Sequence, residues 1–152
     1  MDNHTQINRF LVEVFHTVLR AEERELRRLG GGNLSINEAH VIEAVGLCQQ
    51  QGCHTAKGIA AQLGITPGSL TAAINVLERK GYVQRTPDPR DRRRVQISLT
   101  SRGQAADEGH QRIHQQLVAA VTSDLNEEET AILLRALQSV AEFFNKERTA
   151  PK

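Results

Sequence analysis

Between Arg85 and Arg94 the chain places five arginines, at 85, 90, 92, 93 and 94, against two aspartates, Asp88 and Asp91. A guanidinium group is permanently charged, planar and weakly hydrated, so such a run suits phosphate oxygens or a narrow, electronegative groove. The formal net charge of the whole chain is only +1, which makes the basic character local. For an isolated run the plain alternative is a solvated loop. Histidines form a second group. His110 and His114 stand one helical turn apart, with His40 far upstream. Neutral imidazoles suit Zn²⁺, which asks for three or four protein ligands, and Glu38, Asp107 and Glu108 are the nearby carboxylates that could supplement them. The same histidines could instead line the rim of a pocket between helices. Cys48 and Cys53 flank a glycine-containing link, and with only His54 and Lys57 near them in sequence they are expected to be inert thiols. The chain has no phosphate-cradling glycine loop, nucleophile elbow or closed metal signature, so catalysis and an obligatory cofactor are not expected.

What precedes the arginines decides their reading. Thr55 to Leu63 predicts a short helix, capped by Thr55 and stopped by Gly64. After a two-residue link, Thr66-Pro67 is an N-cap followed by proline at the first helical position. Ile65, Leu70, Ile74 and Leu77 recur at helical spacing and are expected to face inward. Pro67, Gly68, Ser69, Thr71, Ala72 and Asn75 form the outward face, small enough for the helix to sit deep in a groove. Gly81 ends it. Residues 82–85 and 95–99 read as strands, with Val95, Ile97 and Leu99 alternating, around a loop stiffened by Pro87 and Pro89. A helix-turn-helix with a basic β-wing points to DNA. Ser69, Thr71 and Asn75 are the candidates for base edges, and Lys57 and Thr66, near helix starts, for phosphates. Arg90, Arg92 and Arg93 are the wing candidates. Arg85 and Arg94 could equally brace the wing.

The flanks supply scaffold. A length of 152 residues fits one domain. Residues 5–29 predict an amphipathic helix whose first half carries the apolar stripe, including Phe10 and Val14, and whose second half is charged and more solvated. Glu23 and Arg27 are spaced to pair there. Gly30-Gly31-Gly32 stops this helix. Ser35-Ile36-Asn37-Glu38 is a capping box, opening a helix to about Gln50 with Ile36, Ala39, Val41, Ile42, Val45 and Leu47 as its apolar positions. Thr100 caps a long helix bearing Ile113, Leu117, Val118 and Val121. Asn126 and Glu129 form a second capping box, before a last helix bearing Leu133, Leu137, Val140 and Phe144. The terminal helices carry more apolar surface than a small domain needs, which predicts a homodimer through Phe10, Val14, Leu133, Leu137, Val140 and Phe144. The expected fold is mainly α with a small β-hairpin wing. It divides into residues 1–34 (dimerisation helix and linker), 35–100 (winged helix-turn-helix) and 101–152 (dimerisation helices). No segment is apolar enough to span a bilayer, no secretory signal opens the chain and cysteines are few, so a cytoplasmic location is expected.

The run Leu77-Glu78-x-Lys80-Gly81-Tyr82-Val83-x-Arg85, then Asp91-Arg92-Arg93 and Leu99-Thr100-x-x-Gly103, resembles the MarR family of winged-helix regulators. That resemblance implies a two-fold dimer reading a palindromic operator, with Arg93 the best candidate for the minor groove and Asp91 orienting its neighbours. One departure is Gly58, where the family commonly has an acidic residue; a mid-helix glycine costs about 1 kcal/mol relative to alanine. Zinc-responsive members place histidines at points similar to His40, His110 and His114. A nearer likeness is to the FabT-type repressors of fatty-acid biosynthesis. It rests on Leu34 to Gly46, on Gly68-Ser69-Leu70-Thr71-x-x-Ile74-Asn75-x-Leu77-Glu78 and on the His110/His114 pair. This likeness implies a corepressor in the form of an acyl chain on acyl carrier protein. The chain would be held in an apolar tunnel between the first, second and long helices, and Arg24, Arg27 or Arg28 would meet the acidic carrier. The rival within DNA binding is a low-specificity architectural protein, with no ligand response and little sequence preference.

Overall fold

The protein is described by a computed structural model over residues 2–30 and 33–149. Six helices and one hairpin follow in the order α1 (Asn3–Gly30), α2 (Ile36–Gln50), α3 (Ala56–Leu63), α4 (Pro67–Arg79), β1 (Val83–Pro87), β2 (Val95–Leu99), α5 (Ser101–Thr122) and α6 (Glu127–Thr149). Gly31 and Gly32, expected to complete the stop after α1, lie outside the described residues. Two compact units result, Met1–Ile113 and His114–Lys152, so α5 begins in the first and ends in the second.

Capping chemistry sets the boundaries. Ser35 Oγ accepts the Glu38 N–H at 3.2 Å and Glu38 Oε2 accepts the Ser35 N–H at 2.9 Å, which opens α2. Thr55 Oγ1 accepts from Gly58 N to open α3, and Gly64, at φ +64°, closes it. Thr66 caps α4 with Pro67 behind it. Thr100 Oγ1 accepts from Gly103 N at the start of α5 and donates to Gly81 O at 2.6 Å, tying the helix to the turn after α4. In the second unit, Asn126 and Glu129 exchange two bonds of 2.9 Å at the start of α6.

The core lies inside the first unit, where Ile42, Val45, Ile59, Leu70, Ile74, Leu77, Tyr82 and Val83 are almost wholly enclosed. Each such aliphatic side chain contributes about 1.5–3 kcal/mol relative to exposure. β1 and β2 pair antiparallel, from Val83 opposite Leu99 to Pro87 opposite Val95. Three expectations fail at the edges of this core. Leu47 on the last turn of α2, Ile65 in the link between α3 and α4, and Val95 at the start of β2 are exposed, while Ala44 and Cys48 are buried on α2 instead.

The larger correction concerns α1. Its charged second half is the buried half: Leu26 is 4% exposed and Glu22 only 3%. Within one chain its apolar first half is uncovered, with Phe10 64% exposed. The stripe continues from Val18 through Glu22, Leu26 and Leu29 at helical spacing, and charge on the remaining positions obscured it. The expected Glu23–Arg27 pair does form, at 3.7 Å.

Candidate nucleic-acid interface

α4 presents the face expected of it. Leu70, Ile74 and Leu77 are buried, while Pro67, Gly68, Ser69, Thr71, Ala72 and Asn75 are exposed. Local hydrogen bonds already engage the polar atoms of this face, and what they leave over sets what each residue can offer. Thr66 Oγ1 accepts from Ser69 N at 3.1 Å and donates to Ser69 Oγ at 2.9 Å. Ser69 thus keeps its own hydroxyl proton to donate outward. Thr71 Oγ1 spends its proton on Pro67 O at 2.9 Å, so outward it can only accept. Asn75 Oδ1 accepts from Arg85 Nη2 at 2.8 Å, leaving the amide NH₂ to donate. The face therefore offers donors at Ser69 and Asn75 and an acceptor at Thr71, and Asn75 Oδ1 keeps one lone pair beside its bond from Arg85. Lys57 is exposed on the first turn of α3.

Arg85 is a brace. It is bonded to Asn75 and paired with Glu78, which joins β1 to α4. In the wing tip, Asp91 Oδ1 accepts the Arg93 N–H at 3.1 Å, and the Asp91 carboxylate faces the Arg93 and Arg94 guanidinium groups at 3.9 and 3.8 Å. Asp88 Oδ1 accepts the Arg90 N–H, and Asp88 N donates to Arg94 O. The two aspartates thus shape the turn through its backbone. Arg90 and Arg92 are exposed, and the Arg93 side chain is 96% exposed.

Two supporting contacts had no counterpart in the sequence reading. Lys80 Nζ donates to both Glu38 oxygens, at 2.9 and 2.8 Å, and to Asn33 O, clamping the end of α4 to the start of α2. Burial pushes the Glu38 carboxyl up, but Lys80 and the Ser35 N–H outweigh it and hold the group below its ordinary value. Arg102 donates to Lys80 O and lies 4.6 Å over the Tyr82 ring. Pairs 20 to 47 residues apart leave no local signal.

Behind this unit the histidines separate. His110 is 1% exposed; its Nε2 lies 3.2 Å from Glu22 Oε1 and its Nδ1 3.8 Å from Glu43 Oε2. The His40 ring stands 5.6 Å from that of His110. Glu22, His40 and His110 bring their ligand atoms within 4.8 Å of one another. Glu22 takes the place in the cluster for which the sequence offered Glu38, Asp107 and Glu108; Glu38 is instead committed to Lys80 and Asp107 to Gln111. Burial also pushes the Asp107 carboxyl up. His114 is half-buried in the second unit. The space between α1, α2 and α5 expected to be an apolar tunnel thus holds a polar cluster. A hollow of about 270 Å³ lies beside it, lined by Leu26, Leu29, Leu34 and Tyr82, with Arg102 and Arg112.

Similarity to known proteins agrees with the geometry. The MarR family profile matches residues 36–95. The DNA-bound FabT of Streptococcus pneumoniae superposes with a TM-score of 0.80 at 32% identity, covering 95% of this chain and 99% of that one. The chain belongs to the MarR family. Among curated relatives, the transcriptional regulator YwhA of Bacillus subtilis is 31% identical over 93 residues, 61% of this chain and 67% of its own length. The multiple antibiotic resistance protein MarR of Salmonella typhimurium is 34% identical over 90 residues, 59% of this chain and 62% of its own. The matched part spans about two thirds of these curated relatives. They are transcriptional regulators and not enzymes, and this MarR-family chain shares their winged helix-turn-helix. Among the described residues no helix is long and apolar enough to cross a membrane.

Proposed function

We propose that this protein is a sequence-specific transcriptional repressor that binds a palindromic operator as a homodimer. The observation that carries the reading is the match along nearly the full chain to a FabT bound to DNA, on a chain whose α4 face and wing are free to engage a duplex. α4 enters the major groove, with Ser69 and Asn75 donating and Thr71 accepting. Lys57 and Thr66 meet phosphates, and Arg90, Arg92 and Arg93 follow the adjacent minor groove, Asp91 holding the turn. The uncovered apolar residues of α1 and α6 pair with a second copy, which sets two recognition helices one duplex turn apart.

For the effector, the likeness to FabT supports a long acyl chain delivered by acyl carrier protein as corepressor. The hollow beside Leu26 and Leu29, with Arg102 and Arg112 at hand for an anionic group, is the apolar space that favours it. A second reading has its own observation. The convergence of Glu22, His40 and His110 suits Zn²⁺ with one further ligand, and makes the chain a zinc-responsive regulator. One experiment separates them: operator affinity of the purified protein, scanned against long-chain acyl carrier protein, Zn²⁺ and chelator. The corepressor reading expects tightening by the acylated carrier alone. A Zn²⁺ response reversed by chelator and lost in His110→Ala replaces it with the metal reading. Equal affinity for operator and random duplex overturns the repressor in favour of an architectural protein.

A further inference from the structure

The three base-edge candidates of α4 do not all owe their orientation to α4. Thr66 orients Ser69, and Pro67 O orients Thr71, both at the start of the helix itself. Asn75 is oriented from another element. Its Oδ1 accepts from Arg85 Nη2 at 2.8 Å, and Arg85 stands on β1. The same guanidinium gives its Nη1 to Glu78 Oε2, three residues further along α4. Asn75 and Glu78 share a helix face at this spacing, so the planar fork of Arg85 spans both with one nitrogen each. The Arg85 side chain is 29% exposed, and Glu78 holds it by charge as well as by hydrogen bond.

This arrangement decides which end of the amide meets DNA. The terminal torsion of an asparagine is broad and roughly two-fold, so a free amide exchanges its oxygen and nitrogen ends. Asn75 is exposed, on the outward face with Ser69 and Thr71. A guanidinium donates and never accepts, so Arg85 bonds the amide oxygen and cannot bond the NH₂. Turning the amide over would break that bond and set N–H against N–H. The oxygen is thereby kept toward β1, and the NH₂ is kept turned away from it.

We infer that Arg85, held by Glu78, is a positioning residue for base reading: it fixes Asn75 with its NH₂ outward, so that the base facing Asn75 must present an acceptor. Guanine N7 and O6, adenine N7 and thymine O4 meet that demand. Cytosine does not, because its polar group on the major-groove edge is the N4 donor. An amide free to turn would meet cytosine through its oxygen. Arg85 acts through Asn75, and because it belongs to β1 the wing and the recognition helix set this preference together. The inference rests on the DNA-binding reading above and specifies what that reading leaves open.

The test uses the full-length protein and the duplex it selects from a randomised pool. Each base pair is then replaced in turn, and the pair whose preference vanishes in Asn75→Ala is the one facing Asn75. At that base, wild type should bind about fivefold more weakly when the acceptor is deleted, by a 7-deazapurine for a purine or a 2-pyrimidinone for thymine. Cytosine there should cost a similar factor. Arg85→Met keeps much of the aliphatic stem and removes the fork; with its fold verified by circular dichroism, it should bring both penalties below about twofold and leave other pairs unchanged. In an Asn75→Ala background the same substitution should change nothing at this pair. A wild type that prefers cytosine there, ignores the deleted acceptor, or has no pair dependent on Asn75 overturns the inference without any Arg85 variant. Discrimination retained in Arg85→Met, or blunted equally at every pair as a mere brace would do, overturns it too. A pool that yields no enriched sequence strikes the repressor reading itself, an outcome distinct from an enriched operator read by the wrong edge.

Discussion

The segment from α2 to β2 and the two terminal helices use similar apolar residues to opposite effect. In the first, nearly every large aliphatic side chain of α4 and the hairpin's inner face is enclosed by its own chain. In α1's first half and in α6, Phe10, Val14, Leu137 and Phe144 stand more than half exposed. One region is complete as folded, and the other holds surface that a single chain leaves wet. Exposed patches of this kind mark interaction surfaces. The division of labour is therefore between a reading unit that owns its stability and helices whose stability depends on assembly.

The largest expected effect tests the self-sufficient side. Leu77→Ala should destabilise the protein by about 2–5 kcal/mol through lost burial and the cavity left behind. The loss should be the same at all protein concentrations, as read by urea unfolding. A concentration-dependent loss would show that the reading unit also leans on a partner, and the contrast would dissolve.

Leu137→Glu tests the other side. It should turn the dimer into a monomer by sedimentation, remove the dependence of melting temperature on concentration, and leave the far-ultraviolet spectrum of the reading unit intact. A surviving dimer would move the interface away from α6 and leave α1, with Phe10 and Val14, as the remaining candidate. The cost per protomer should be about 1.5–3 kcal/mol, the burial of one large aliphatic side chain.

The same contrast governs what could be read from sequence. The caps at Ser35, Thr55, Thr66, Thr100 and Asn126 are local chemistry over three residues, and each stands where its spacing predicts. The hairpin and the outward face of α4 were legible for the same reason. Glu22 was not, because a carboxylate on a charged stretch of α1 looks solvated until His110, 88 residues away, is folded against it. Nor was the role of Lys80, whose partners are set by tertiary contact, whereas Arg85 takes the bracing role that was one of its two readings. The seat of the Cys53 sulfur was not legible either, because what makes room for it is a missing Cβ at Gly58, read in sequence only as a cost to α3. Short-range order was visible; polar pairing across the fold was not.

Lys80→Met sharpens the comparison within the reading unit, since the Lys80–Glu38 pair joins α2 to α4 without apolar burial. The loss should be about 1–3 kcal/mol at neutral pH, the usual cost of removing a charged hydrogen-bond partner. Its pH dependence has a definite sign. Glu38 titrates below its ordinary value when folded, so its stabilisation is complete above the unfolded carboxyl value and disappears as pH falls through the lower folded one. The variant should lose the part of that acid-side decline that Lys80 supplies, keep the part held by the Ser35 N–H, and converge with wild type once Glu38 is protonated in both. Parallel curves across the acid range would mean that Lys80 acts through packing alone.

The smallest effect is the most discriminating for the interface. Asn75→Ala should cost about 1 kcal/mol on the operator, the low end for a base contact, because its carbonyl oxygen is shared with Arg85. Random duplex should lose much less, and the salt slope should stay unchanged. Arg93→Ala should behave in the opposite way, reducing the salt slope by about 1 and weakening both duplexes alike. If Asn75→Ala weakens operator and random DNA equally, α4 touches backbone there and the specificity lies elsewhere on its face. If Arg93→Ala leaves the salt slope untouched, the wing's most exposed guanidinium meets no phosphate, and the basic run is a solvated loop after all.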